Sequence, residues 1–168
     1  ALLGTKSNRQ YTLRRFADLG LPTDRVTIRG GAAHREFLKH YASIDIALDT
    51  FPYNGGTTTS EAIWQGVPVL TFSGDRWISR TSATILSNAN LAEFVCKDLK
   101  GYVESAVRWG NGRASASKLR DLRATMRERL ENSPILDCAH FARLVEGTYR
   151  ELARQAMRGV RTRARATS

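Results

Sequence analysis

The sequence predicts an α/β fold: a doubly wound parallel sheet followed by helices. Three observations predict it. The stretch Asp45 to Leu70 reads as strand, glycine turn, helix and strand in immediate succession. Short apolar runs alternate with helical stripes as far as Val95, and parallel strands joined this way need right-handed helical crossovers rather than hairpins. Beyond Leu99 only helical periods remain.

Taken in order, Ala1-Leu2-Leu3 reads as the end of a strand, which predicts a piece of a longer polypeptide. Tyr11, Leu13, Phe16, Ala17 and Leu19 give a helical stripe from about Asn8, closed by Gly20 and Pro22. Val26-Thr27-Ile28 is a short strand, Gly30-Gly31 a loop, and Ala33 to Ala42 a helix with Phe37, Leu38 and Tyr41 turned inward. The run Ile44 to Leu48 has the length of a buried strand, and Pro52 with Asn54-Gly55-Gly56 forces a turn after it. Thr57, Thr58, Thr59 and Ser60 are capping residues for the next helix, Glu61 belongs to its opening, and Gly66 with Pro68 stops it. A strand Val67 to Phe72 leads through Ser73-Gly74-Asp75 to a helix at about Ser79 to Asn88, and Phe94-Val95 is a last short strand. Leu99, Tyr102, Val103, Ala106 and Val107 mark one amphipathic helix, and Leu119, Leu122, Met126 and Leu130 a second. After the break at Ser133-Pro134, a third carries Cys138, Phe141, Val145, Tyr149 and Leu152, and all three stripes are expected to be core.

The 168 residues set a prior for one domain with one core. No apolar run approaches the ~20 residues of a membrane helix and no signal-peptide pattern opens the chain, so the cytoplasm is the expected compartment. Cys96 and Cys138 lack metal-type spacing and read as small core residues rather than as a disulfide or a zinc site. The excess of 26 Lys and Arg over 16 Asp and Glu gives a formal charge of +10, which suits nucleic acid, anionic lipid or a phosphorylated ligand. Arg158, Arg161, Arg163 and Arg165 fall where no apolar period remains, so residues 1–153 are expected to form the folded lobe and 154–168 a basic, disordered tail. Arg120, Arg123, Arg127 and Arg129 are expected on solvated helix faces. No recognition helix, finger or aromatic-basic RNA signature is present, which argues against nucleic acid.

The chemistry concentrates where a ligand binds in open parallel sheets, beyond the carboxyl ends of the strands. Backbone N–H groups at a helix opening sit at the positive end of its dipole, and glycines let a ligand approach. Asn54, Gly55, Gly56, Thr57 and Thr58 therefore read as a diphosphate turn, the two threonines adding hydroxyls to converging amides. Glu61 either holds a pair of ribose hydroxyls or simply favours the helix opening electrostatically.

The run Leu48-Asp49-Thr50-Phe51-Pro52-Tyr53-Asn54-Gly55-Gly56-Thr57-Thr58-Thr59-Ser60-Glu61-Ala62-Ile63-Trp64-Gln65-Gly66-Val67-Pro68-Val69, followed by Gly74-Asp75-Arg76 and Ser79-Arg80, resembles the C-terminal catalytic lobe of the O-linked N-acetylglucosamine transferase (SPINDLY-like) family. The resemblance runs from about Leu2 to Leu152, weakening beyond Val95, and Ser133-Pro134-Ile135-Leu136 resembles the entry to the family's final helix. It implies the C-terminal, Rossmann-like lobe of a GT-B fold, a nucleotide-sugar donor (usually UDP-N-acetylglucosamine), protein Ser/Thr acceptors and no metal or other cofactor. By the same resemblance the Asn54 to Thr58 loop is the diphosphate turn and Glu61 the ribose carboxylate, although many members carry a histidine where this chain has Gly56. His34, Phe37 and His40 match the segment lining the uracil pocket, with Phe37 against the base or in the core and His34 near the phosphates. Arg80 matches a family arginine that braces the Gly74-Asp75 loop or approaches the sugar. The family's N-terminal lobe and helical repeats have no counterpart in this sequence, so the resemblance implies their supply by the same polypeptide, and no residue here is identified as catalytic. Other readings are a different GT-B enzyme, a hexosyltransferase or sugar-nucleotide epimerase, and a non-catalytic basic interaction module.

Overall fold

The computed structural model describes residues 6–166, which fall into two compact units, one ending at Ser43 and one beginning at Ile44. The first unit holds helix α1 (Lys6–Asp18), a single turn at Thr23–Arg25, helix α2 (His34–Lys39) and a turn at His40–Ser43. α1 closes at Gly20, whose N–H returns to Ala17 O at 2.9 Å while Leu21 N–H reaches Phe16 O at 2.9 Å. Helix α2 and its following turn cover the expected helix, with Tyr41 buried and its ring edge-on to Phe37 at 5.5 Å. The expected strand Val26-Thr27-Ile28 is not formed: Val26 has extended dihedrals, but among the described residues no strand pairs with it, and a ladder needs a partner. The expected strand end at Ala1 to Leu3 lies outside the described residues.

The second unit is built on a parallel sheet of strands β1 (Ala47–Leu48), β2 (Val69–Phe72) and β3 (Val95–Cys96), in the order β1-β2-β3. Ala47 lies opposite Val69 and Leu48 opposite Leu70; on the other side Thr71 lies opposite Val95 and Phe72 opposite Cys96. Central β2 is buried at every position. Helix α3 (Thr57–Trp64) crosses from β1 to β2 and helix α4 (Thr81–Asn88) from β2 to β3, and α5 (Leu99–Gly110) then packs on β2 and β3. This is the predicted α/β architecture. Ala62, Ile63, Val67, Leu70, Leu86, Leu91 and Phe94 form the core between sheet and helices, each buried side chain of leucine size contributing roughly 1.5–3 kcal/mol.

Helix α6 (Arg113–Glu131) follows, with Leu119, Leu122, Met126 and Leu130 buried as their spacing predicts. α3 ends in a Schellman turn: Val67 N–H reaches Ala62 O at 2.8 Å, Gly66 N–H reaches Ile63 O at 3.0 Å, and Gly66 has φ +80°. A Cβ at Gly66 would lie 2.9 Å from Arg123 Cγ and 3.2 Å from Arg123 O, so both dihedral and space require glycine.

Two expectations are corrected here. Arg123 and Arg127 are not idle surface charges but donors to the carboxyl end of α3. Arg127 reaches Trp64 O at 3.1 Å and stacks 3.9 Å over the Trp64 ring, while Arg123 bonds Gln65 O and Ile44 O. Arg129 likewise joins Asn90 O and Glu93. Cations at a helix carboxyl end meet its negative dipole and its unpaired carbonyls, which explains the placing of Arg123 and Arg127 one helical turn apart on α6.

The second correction concerns the outer stripes. Helix α7 (Cys138–Ala166) presents Phe141, Leu144, Tyr149 and Leu152 to solvent, and α5 presents Leu99, Val103 and Val107. Helical period shows that a helix has an apolar face, not that residues of this chain cover it. Cys138 is exposed and Cys96 only half-buried, both as free thiols. Helix α7 runs on past residue 153, the expected boundary of the lobe, to Ala166. Ala, Arg, Gln and Met are strong helix formers, and the Glu146–Arg150 pair at 3.0 Å adds about 0.3–0.5 kcal/mol of local support. No described helix is long and apolar enough to cross a membrane.

Candidate functional site: the glycine turn at the head of α3

β1 ends at Leu48, and residues 49–56 carry the chain over the carboxyl end of the sheet into α3. Phe51 stacks on Phe72 with ring centroids 4.7 Å apart, seating the turn on the last residue of β2. Asn54 N–H donates to Ile78 O at 3.0 Å, tying this turn to the loop after β2. That second loop is closed by Gly74 N–H to Ser79 O at 3.0 Å, by the Ser79 hydroxyl to Arg76 O at 2.8 Å, and by Arg80 Nε to Gly74 O at 2.8 Å. Arg80 thus braces the Gly74-Asp75 loop, one of the two roles considered for it.

The backbone amides of the turn divide into two sets. Thr50 N–H and Gly55 N–H both donate to Asp49 Oδ1, at 3.0 and 2.8 Å, and Asn54 N–H is held by Ile78. Among the described residues, the amides of Gly56 and Thr57 donate to no protein group. They stand at the positive end of the α3 dipole with the Thr57 and Thr58 side chains exposed beside them. An anion placed there would receive two N–H donors.

The threonines were expected as side-chain caps. The observed N-cap is Gly56, and no side chain bonds the cap. Thr59 is buried instead, its hydroxyl 2.8 Å from the Ser82 hydroxyl, and Ser82 donates to Gly55 O at 2.9 Å. Both backbone polar groups of Gly55 are therefore clamped, its N–H from the β1 side and its carbonyl from α4. A Cβ at Gly55 would lie 2.5 Å from Thr59 Oγ1 and 2.7 Å from Thr58 Oγ1, so the close hydroxyls demand glycine here. With the cap vacated, the opening of α3 is left for a ligand.

Asn54 is 4% exposed; its Nδ2 donates to Thr50 O at 2.8 Å, and its Oδ1 has no partner among the described residues. Its hydrogen bonds to Thr50 O and Ile78 O hold the turn together. Glu61 is half-buried and lies one turn into α3 rather than in its first turn. His34, Phe37 and His40 belong to the first unit: His34 opens α2 on the surface, and the Phe37 ring sits edge-on to His40 at 6.5 Å.

Four site residues escape the sequence reading. Asp49 Oδ2 accepts the Thr71 hydroxyl at 2.7 Å, and Asp49 O accepts the Tyr102 hydroxyl at 3.0 Å. Burial, then the Asp49 and Cys96 charges, push the Tyr102 phenol above its ordinary value, so it stays a protonated donor. Ser82 completes the set. Only Asp49 carries a signal in sequence, an acid between an apolar strand and a turn, where Asp bonds the backbone ahead of it.

The profile of glycosyl transferase family 41 matches residues 5–145. A probable UDP-N-acetylglucosamine–peptide N-acetylglucosaminyltransferase SPINDLY of Solanum lycopersicum is 34% identical over 150 residues, covering 89% of this chain and 16% of that protein. The protein of the same description from Petunia hybrida is 33% identical over 153 residues, covering 90% of this chain and 16% of its own length. Among solved structures, a mutant O-GlcNAc transferase of Thermobaculum terrenum superposes with a TM-score of 0.79 at 30% identity, over 92% of this chain and 29% of that one. The chain thus spans about a sixth of those plant relatives' length. A profile match across most of the chain, relatives in the same register and a shared α/β lobe lead to one statement: the chain belongs to glycosyl transferase family 41.

Proposed function

We propose that this chain is the donor-binding lobe of a protein O-glycosyltransferase that moves N-acetylglucosamine from UDP-N-acetylglucosamine to Ser or Thr of proteins. The observation that carries the reading is the pair of uncommitted amides, Gly56 and Thr57, at the head of α3, where Thr57 and Thr58 are exposed residues. In the transfer, the acceptor oxygen forms a bond to the anomeric carbon as the bond to the diphosphate breaks, and the diphosphate leaves with the electron pair. Amides and hydroxyls fixed around it stabilise that departing charge without reorganising. Glu61 holds the ribose hydroxyls. The acceptor site and a general base come from other parts of a longer cytoplasmic polypeptide, so this chain by itself binds donor and transfers nothing. No metal is required in this reading, because the helix opening supplies the electrophilic groups.

Calorimetric titration with UDP tests it. Thr57→Val combined with Thr58→Val is expected to weaken UDP binding by about 10-fold, the loss of charge-assisted hydroxyl contacts. Equal affinities for the two proteins would remove the assigned loop from the site.

A further inference from the structure

We infer that Asp49 is a positioning residue for the anion seat, acting through the Gly55 peptide; the inference rests on reading the head of α3 as a diphosphate site. Asp49 makes five hydrogen bonds to three parts of the unit. Its N–H donates to Leu70 O at 3.0 Å and its carbonyl accepts from Tyr102, which anchors it to β2 and α5. Oδ2 accepts from Thr71, and Oδ1 gathers the amides of Thr50 and Gly55. The turn therefore wraps an internal carboxylate much as a phosphate loop wraps its ligand. Those two amides point inward, and the next two, Gly56 and Thr57, are the first left over for an external anion.

Charge and geometry predict opposite outcomes when the carboxylate is removed. A carboxylate near a phosphate repels it, so if Asp49 were only a neighbour, Asp49→Asn would tighten anion binding. If Asp49 positions the turn, the same change replaces one of its acceptor oxygens by a donor, releases Gly55 or Thr71, and weakens binding although a repulsive charge has gone.

The test is an NMR titration of the isotopically labelled 168-residue chain with inorganic pyrophosphate, read at the Gly56 and Thr57 amides so that loose binding elsewhere on a basic surface is not counted. Asp49→Asn is expected to weaken that site by about 10-fold, as the loss of one or two charge-assisted bonds implies. Thr71→Val keeps the carboxylate charge and side-chain size, loses one bond, and is expected to weaken it by about 3-fold. Unchanged or tighter pyrophosphate binding in Asp49→Asn overturns the inference; should that variant fail to fold, unchanged binding in Thr71→Val does so. A parallel UDP titration separates the two claims. If pyrophosphate shifts these amides and UDP does not, the nucleotide reading falls while the role of Asp49 stands; if neither shifts them in the unmodified chain, both fall.

Discussion

The Tyr102 hydroxyl donates to the backbone carbonyl of Asp49 across 3.0 Å, joining the first turn of α5 to the residue that shapes the glycine turn. Its phenol is raised above the ordinary 10.0, first by burial and then by the Asp49 and Cys96 charges. A folded-state value above the unfolded one means that the stabilising contribution is complete below about pH 10 and is lost as pH rises through the folded value. Thermal melts between pH 8 and 11 should therefore show a decline in Tm above pH 10 that Tyr102→Phe flattens. The variant also loses one hydrogen bond, about 1 kcal/mol at neutral pH. An identical alkaline decline in both proteins would contradict this account.

Gly66→Ala should destabilise the fold by about 1–3 kcal/mol, because the residue holds a left-handed φ and its new methyl meets the Arg123 backbone. Urea denaturation measures it. A shift below about 0.3 kcal/mol would mean that the α3 turn rearranges freely, contrary to this mechanism.

Arg127→Lys keeps the charge but not the planar group that both lies over Trp64 and reaches its carbonyl. A loss of about 1 kcal/mol is expected in chemical denaturation, close to that of Arg127→Ala. Full retention of stability by the lysine variant would reduce the arginine to a point charge near a helix end.

Ser82→Ala leaves Gly55 O and Thr59 Oγ1 without their buried partner and should lower stability by about 1–3 kcal/mol. The same change should broaden the Gly55 and Gly56 amide signals in NMR spectra. Sharp, unshifted signals would show that the clamp from α4 is dispensable.

Glu61→Gln addresses the ribose. Unmodified protein is expected to prefer UDP over 2′-deoxy-UDP by about 10-fold, a charged hydrogen bond's worth, and the variant to bind the two alike. A preference that survives the substitution assigns ribose recognition to another residue.

The sheet and the helix starts were legible because period and punctuation are local. Gly66 followed by Pro68 marked the end of α3, and Leu119, Leu122, Met126 and Leu130 marked the inner face of α6. The turn at Asn54 to Thr58 was legible for the same reason. Its division of amides was not: Asp49 meets Thr71 across 22 positions and Ser82 meets Gly55 across 27, and such pairings leave no periodic trace. Tyr102 fitted a helical stripe, which hid its hydroxyl, and Phe141 and Tyr149 fitted one that stands exposed. The α6 arginines were hidden likewise, since a solvated face and a carbonyl-binding face have the same composition.

Gly56 differs from Gly55 in one respect. A Cβ built on it meets only the Thr81 methyl, at 3.6 Å, and its φ is −128°, outside the left-handed region. The Gly55 position is thus closed to a side chain, while a Cβ at Gly56 meets nothing nearer than ordinary van der Waals distance. Selection or design can accordingly vary position 56 and leave the clamps on Gly55 untouched.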